Sequence, residues 1–170
     1  MPTTIEAQSA VKAAFKKKGW SSRQVAVRRK FFSGGSELSI EIRDPSVPIC
    51  VVKEIAEAGK SIRRCEVTGE ILSGGNRYVH VRYRDDVLEA MAKTYVSAVA
   101  AAVAKIEPGS NSLVEVEDTP FSVGRPNAES DKTVTLWGER FIAQCWGAEG
   151  AAEIVAPLMA ALAAGVEIDK

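Results

Sequence analysis

Twice in its first half the chain sets two large apolar residues before Ser-Gly-Gly and then runs into strict alternation. Phe31-Phe32-Ser33-Gly34-Gly35-Ser36 leads into "ELSIEIR", and Ile71-Leu72-Ser73-Gly74-Gly75-Asn76 leads into "RYVHVRY". A run with apolar residues at every second position has one face to bury and one to leave wet, which a sheet covered on one side provides. Leu38, Ile40 and Ile42 form one inward row, with Ser39, Glu41 and Arg43 outward; Val79, Val81 and Tyr83 form another, with Tyr78, His80 and Arg82 outward. "RQVAVRRKFF" reads as the strand before the first Ser-Gly-Gly and "RRCEVTGEI" as the strand before the second, so the expectation is two antiparallel hairpins. A phosphate cradle needs its glycines between a strand and a helix N-terminus, where backbone N–H groups converge. Between two strands, the glycines instead supply the positive φ of a tight turn.

Helices punctuate these strands. Thr3 and Glu6 make a capping box for a first helix over about residues 4–18, stopped at Gly19 and ending in Lys16-Lys17-Lys18, cations suited to the carbonyl end of a helix. After the Asp44-Pro45 break, Val51, Val52, Ile55 and Ala56 mark a second helix that Gly59 stops. Asp86 with Glu89 opens a long alanine-rich helix to about Ile106, which Pro108-Gly109 ends. Beyond it, "SLVEVED" and "KTVTLWGERFIAQCW" read as a hairpin-like pair of strands around an exposed loop, "TPFSVGRPNAESD", before a C-terminal helix over about 151–164 that carries Pro157 near its first turn or at a kink. The fold class is α+β: an αββαββ lobe over 1–84, then an αββα lobe over 85–170, either separate or packed on the first as one unit.

Charge divides at the same place. The first 84 residues hold 16 of the 22 Lys and Arg but 8 of the 22 Asp and Glu, a balance of +8; the remainder has 6 and 14, a balance of −8. No acid lies between Glu6 and Glu37, while Lys16, Lys17, Lys18, Arg23, Arg28 and Lys30 all do. Such a run is either a polyanion-facing surface or a solvated face that the acidic half neutralises. With 46% apolar and 26% charged residues the chain is of globular type, and no window of eighteen apolar residues or basic leader marks a span or secretory signal, so the expected location is the cytoplasm.

Catalytic and metal signals are sparse. Cys50, Cys65 and Cys145 are far apart, no Cys-x-x-Cys pair occurs, and His80 is the single imidazole, so no zinc site is expected and the cysteines read as reduced, buried small hydrophobes. Asp85-Asp86 stand where a helix begins and read as capping residues. No Walker loop, nucleophile elbow or His-Glu-x-x-His pattern is present, so no cofactor is expected. Arg43, Tyr78, His80 and Arg82 project from the wet side of the sheet, with Arg28 and Lys30 joining from the neighbouring strand. That is a platform for phosphate contacts and base stacking, a surface for an acidic protein, or a face that the alanine-rich helix covers.

Val27-Arg28, Ser33-Gly34-Gly35-Ser36, the alternating Ile40-Glu41-Ile42, and Asp44-Pro45 before a short helix together resemble a large polyvalent protein-associated domain, over about residues 10–83. Ile42-Arg43-Asp44-Pro45 departs from that family's aromatic and Asp-Gly-Pro ending. The resemblance implies a phage or plasmid setting, brings no catalytic residues with it, and leaves 85–170 unaccounted for. The expected function is non-catalytic binding of a host protein or nucleoprotein complex, as an antagonist of a nucleic-acid-directed defence of the anti-CRISPR kind. The alternatives are direct DNA or RNA binding through the basic lobe, and an enzyme assembled around His80 or the Trp137 to Trp146 segment. A homodimer through the alanine-rich or C-terminal helix also fits the sequence, although core packing is the commoner use of both.

Overall fold

The computed structural model describes residues 3–72, 74–107, 109–125, 133–138 and 142–164. The chain divides into two compact units, Met1–Arg84 and Asp85–Lys170.

The first unit begins with α1 (Thr4–Lys17). The Thr3 hydroxyl accepts the Glu6 N–H while the Glu6 carboxylate accepts the Thr3 N–H, which is the expected capping box. Those bonds, the backbone one first, hold the Glu6 carboxyl below its ordinary range. Next come β1 (Val25–Phe32) and β2 (Gly35–Ile42), antiparallel and joined through Ser33-Gly34, then α2 (Ile49–Glu57) and β3 (Asn76–Tyr83). Sheet order is β1-β2-β3. Leu38, Ile40 and Ile42 are fully buried, beside Val25, Val27 and Tyr83. Val11 and Phe15 of α1 and Val52 and Ala56 of α2 are buried too, and α1 packs on β1 and β2 while α2 packs on β3 and on α1.

The expected second hairpin does not form. β3 pairs with β2 in parallel, Gly35 opposite Asn76 through Ile42 opposite Tyr83, so the sheet is mixed and the first unit is αββαβ. The chain leaves β2, makes α2 and returns in the same direction, a crossover that supplies the dozen or more residues a parallel pairing needs. Of the stretch read as its partner strand, Arg64 and Ile71 bridge each other, and the bridge to β3 comes from Ser61, ahead of that stretch, with Arg77. Between Arg64 and Ile71 the chain turns back on itself: Cys65 N–H donates to Glu70 O and Gly69 N–H to Cys65 O. Glu66, Val67 and Thr68 are all exposed, so this run has no apolar face with which to join a sheet. Cys65 and Cys50 are half-buried rather than core residues, and the Cys65 thiol is drawn below its usual range, chiefly by the Thr68 side chain.

The second unit opens with α3 (Asp85–Val103), which carries Asp85 and Asp86 in its first turn. Both therefore stand inside the helix rather than at the expected cap position before it, and Asp86 Oδ1 accepts the N–H of the next residue, Val87, at 3.0 Å. Instead of one hairpin-like pair there is a four-stranded antiparallel sheet of β4 (Ser110–Glu115), β5 (Ser122–Arg125), β6 (Thr133–Trp137) and β7 (Ile142–Trp146), ordered as in sequence. β5 lies inside the segment read as a loop, and the long segment read as one strand is two; Pro108 and residues 126–131 of that loop lie outside the described residues. The final helix, α4 (Gly147–Ala163), begins earlier than expected and holds Pro157 in its interior. α3 and α4 pack on each other, burying Val99, Ala102, Ala151, Ala152 and Val155 with Val116, Phe121, Val123 and Cys145 of the sheet side.

Candidate functional site

Because α1 and α2 both cover the face carrying Leu38, Ile40 and Ile42, the opposite face of the first sheet is left to solvent. Register fixes its contents row by row. Arg28, Ser39 and His80 lie side by side across the three strands, as do Lys30, Glu37 and Tyr78, and Ala26, Glu41 and Arg82. Strands about 4.8 Å apart and same-face residues about 7 Å apart make this a surface roughly 10 Å wide. Arg28, Lys30, Tyr78, His80 and Arg82 are exposed.

One end of the face is aromatic. Phe32 stacks on Tyr78 with ring centroids 6.0 Å apart and planes 28° apart. The strand between them offers Gly35 opposite Phe32, so no side chain separates the rings. Phe32 is 43% and Tyr78 37% exposed, so each ring keeps a free surface.

The face is not uniformly basic. Arg43, at the end of β2, donates from Nε to Glu41 Oε1 at 2.8 Å, and that bond, with the charges of Arg43, Arg28 and Arg82, holds the Glu41 carboxyl below its ordinary range. Glu37 sits between Lys30 and Tyr78 on the same face. Arg43 is paired with Glu41, while Arg28 and Lys30 lie on one edge strand and His80 and Arg82 on the other. His80 makes no hydrogen bond to a carboxylate among the described residues. No group of three or more His, Cys, Asp or Glu side chains is placed to hold a metal ion among the described residues.

The remaining predicted residues lie elsewhere in the unit. Lys16 and Lys17 end α1, Lys18 caps it, and Arg23 is in the turn before β1, all of them exposed. α1 packs on the helix-covered side of the sheet, so these four belong to a separate surface from the six on the open face. Phe32 and Glu37 were missed as members of the face. The signal was present: Phe32 shares parity with Arg28 and Lys30, and Glu37 with Ser39 and Glu41, but an argument from cations passes over both.

No match to this chain is found among protein-family models, curated proteins or solved structures.

Proposed function

We propose that this is a non-catalytic binding protein whose basic unit takes a single nucleic-acid strand on its open sheet face. The observation that carries the reading is the exposed Phe32–Tyr78 ring pair on the same face as Arg28, Lys30, His80 and Arg82. Bases stack on aromatic rings whatever their sequence, and flanking cations neutralise phosphates and release counterions. Glu37 and Glu41 on the central strand repel a phosphate placed over the middle of the sheet, which sends the backbone along the cationic edges and the bases inward. A duplex keeps its bases stacked on one another and offers the rings nothing, so the single strand is the preferred form.

In a phage or plasmid setting, which the family resemblance suggests, such binding acts in the host cytoplasm against a nucleic-acid-directed defence complex. The basic unit then occupies a nucleic-acid path, or the acidic unit, with its balance of −8, stands in for a polyanion in a basic effector channel. Fluorescence anisotropy with matched single-stranded and duplex oligonucleotides at low salt tests the direct reading. Tighter binding of the single strand supports it. No binding of either form would end it and turn the search to a protein target, by pulldown from a bacterial host.

A further inference from the structure

A groove of about 470 Å³ opens in the first unit, between the second half of α1, the turn after it and the start of β1. Its volume falls in the range of small-ligand pockets. Buried Phe15, Val25 and Val27 form the floor. Half-buried Trp20 forms a wall, its ring centroid 5.9 Å from that of Phe15 and tilted by 45°. Lys12 and Lys16, one helical turn apart on α1, make the rim.

The walls are fixed before any ligand arrives. Trp20 N–H donates to Phe15 O and Gly19 N–H to Lys16 O, each at 3.0 Å. Ser21 O accepts the N–H groups of Gln24 and Val25, while the Ser21 N–H and hydroxyl both donate to Gln24 Oε1. The turn that carries Trp20 is thus bonded to the helix on one side and to the strand on the other, which holds the backbone on which the indole stands and lowers the ordering cost of binding there.

Chemistry selects the ligand class. The floor and the Trp20 wall are apolar, with two aromatic rings between them, Ser21 and Ser22 are the uncharged polar residues of the lining, and no carboxylate lines the groove. Lysine stems lie along apolar surface while their ammonium groups stay at its edge. A neutral ring gains burial alone, and a free anion gains only a screened surface charge. We propose that this groove is a second, small-molecule binding site, for a planar aromatic ring carrying one anionic group, a phosphate or a carboxylate. It is independent of the sheet face, which lies on the other side of the strands.

The test follows the Trp20 indole N–H cross-peak of the full chain, assigned with Trp20→Phe, during titration with 1-naphthyl phosphate, 1-naphthol and inorganic phosphate. The expected result is a saturable shift with 1-naphthyl phosphate, and weaker binding of 1-naphthol and of inorganic phosphate. In Lys12→Ala/Lys16→Ala the affinity for 1-naphthyl phosphate drops by about tenfold while that for 1-naphthol is unchanged. A Trp20 signal that stays still up to the solubility limit overturns the proposal. So does a double variant that binds 1-naphthyl phosphate like the parent, or inorganic phosphate binding as tightly as the aromatic ester.

Discussion

Gly35 has no room for a side chain. Its φ is +150°, and a Cβ there would stand 2.1 Å from the backbone oxygen of Asn76, its partner on β3. Gly35→Ala forces the two strands apart at the start of their pairing and should cost about 3 kcal/mol in urea unfolding. Gly34→Ala, where the new atom meets only the Phe32 ring at 3.5 Å, should cost less than about 1 kcal/mol. The sequence presents the two glycines as equals in one turn; which of them is irreplaceable depends on a parallel neighbour, Asn76, distant in sequence. Tyr83, at the end of β3, is buried. Its hydroxyl donates to Val47 O at 2.7 Å, and burial pushes the phenol up to about 12. The unfolded chain ionises this group near its ordinary value of 10.0 and the folded chain does so only near 12. Its contribution is therefore complete below pH 10 and is lost as pH rises through the folded value. Tyr83→Phe should cost about 1–2 kcal/mol at neutral pH, since Val47 O loses its donor, and should remove this part of the alkaline loss from a series of urea midpoints. Asp44 behaves in the opposite sense: its carboxyl is held low first by the Ser46 hydroxyl, then by the Gln24 amide and the Ser46 N–H. That stabilisation is present above the ordinary aspartate range and disappears as pH falls through the lowered value, so Asp44→Asn should flatten the acid side of the stability profile.

Elements were legible where periodicity is strong and obscure where direction or brevity decides. The alternation in β2 and β3 identified both strands and both of their faces. It carried no information about strand direction, since a parallel and an antiparallel partner place the same parity inward. For that reason Arg28, Lys30, Tyr78, His80 and Arg82 share one face, with Arg43 bonded to Glu41 just past the end of β2, although a crossover stands where the second hairpin was expected. Lys16, Lys17, Lys18 and Arg23 had been grouped with them by charge in sequence, which has no period and so assigns no face. β5 is four residues long and is flanked by turn formers, too short for any pattern to register. The fate of "RRCEVTGEI" is open to a direct check. Val67 is 93% exposed at the tip of a turn, so Val67→Ser should leave the unfolding free energy from urea titration within about 0.5 kcal/mol of the parent. Ile40→Ala, in the middle of β2 and fully buried, should cost about 3 kcal/mol in the same assay.

For the whole molecule, the division of charge coincides with the division into compact units, Met1–Arg84 and Asp85–Lys170. Each unit has its own sheet with two helices packed on it and its own buried cluster. Net charge near zero for the chain thus conceals two fields of opposite sign, and ionic strength is the variable that exposes what the basic one does. The direct measurement is the affinity of the full chain for a single-stranded oligonucleotide across a salt series, for the parent, Arg28→Ala/Lys30→Ala and Phe32→Ala. The parent should show log K falling linearly with log salt, by about 0.7 for each phosphate neutralised. Arg28→Ala/Lys30→Ala should reduce that slope by about 1.4. Phe32→Ala should lose about 1–3 kcal/mol of affinity at every salt concentration with the slope unchanged. Absence of binding at low salt, or binding in which all three proteins share one affinity and one slope, would contradict the assignment of the open sheet face.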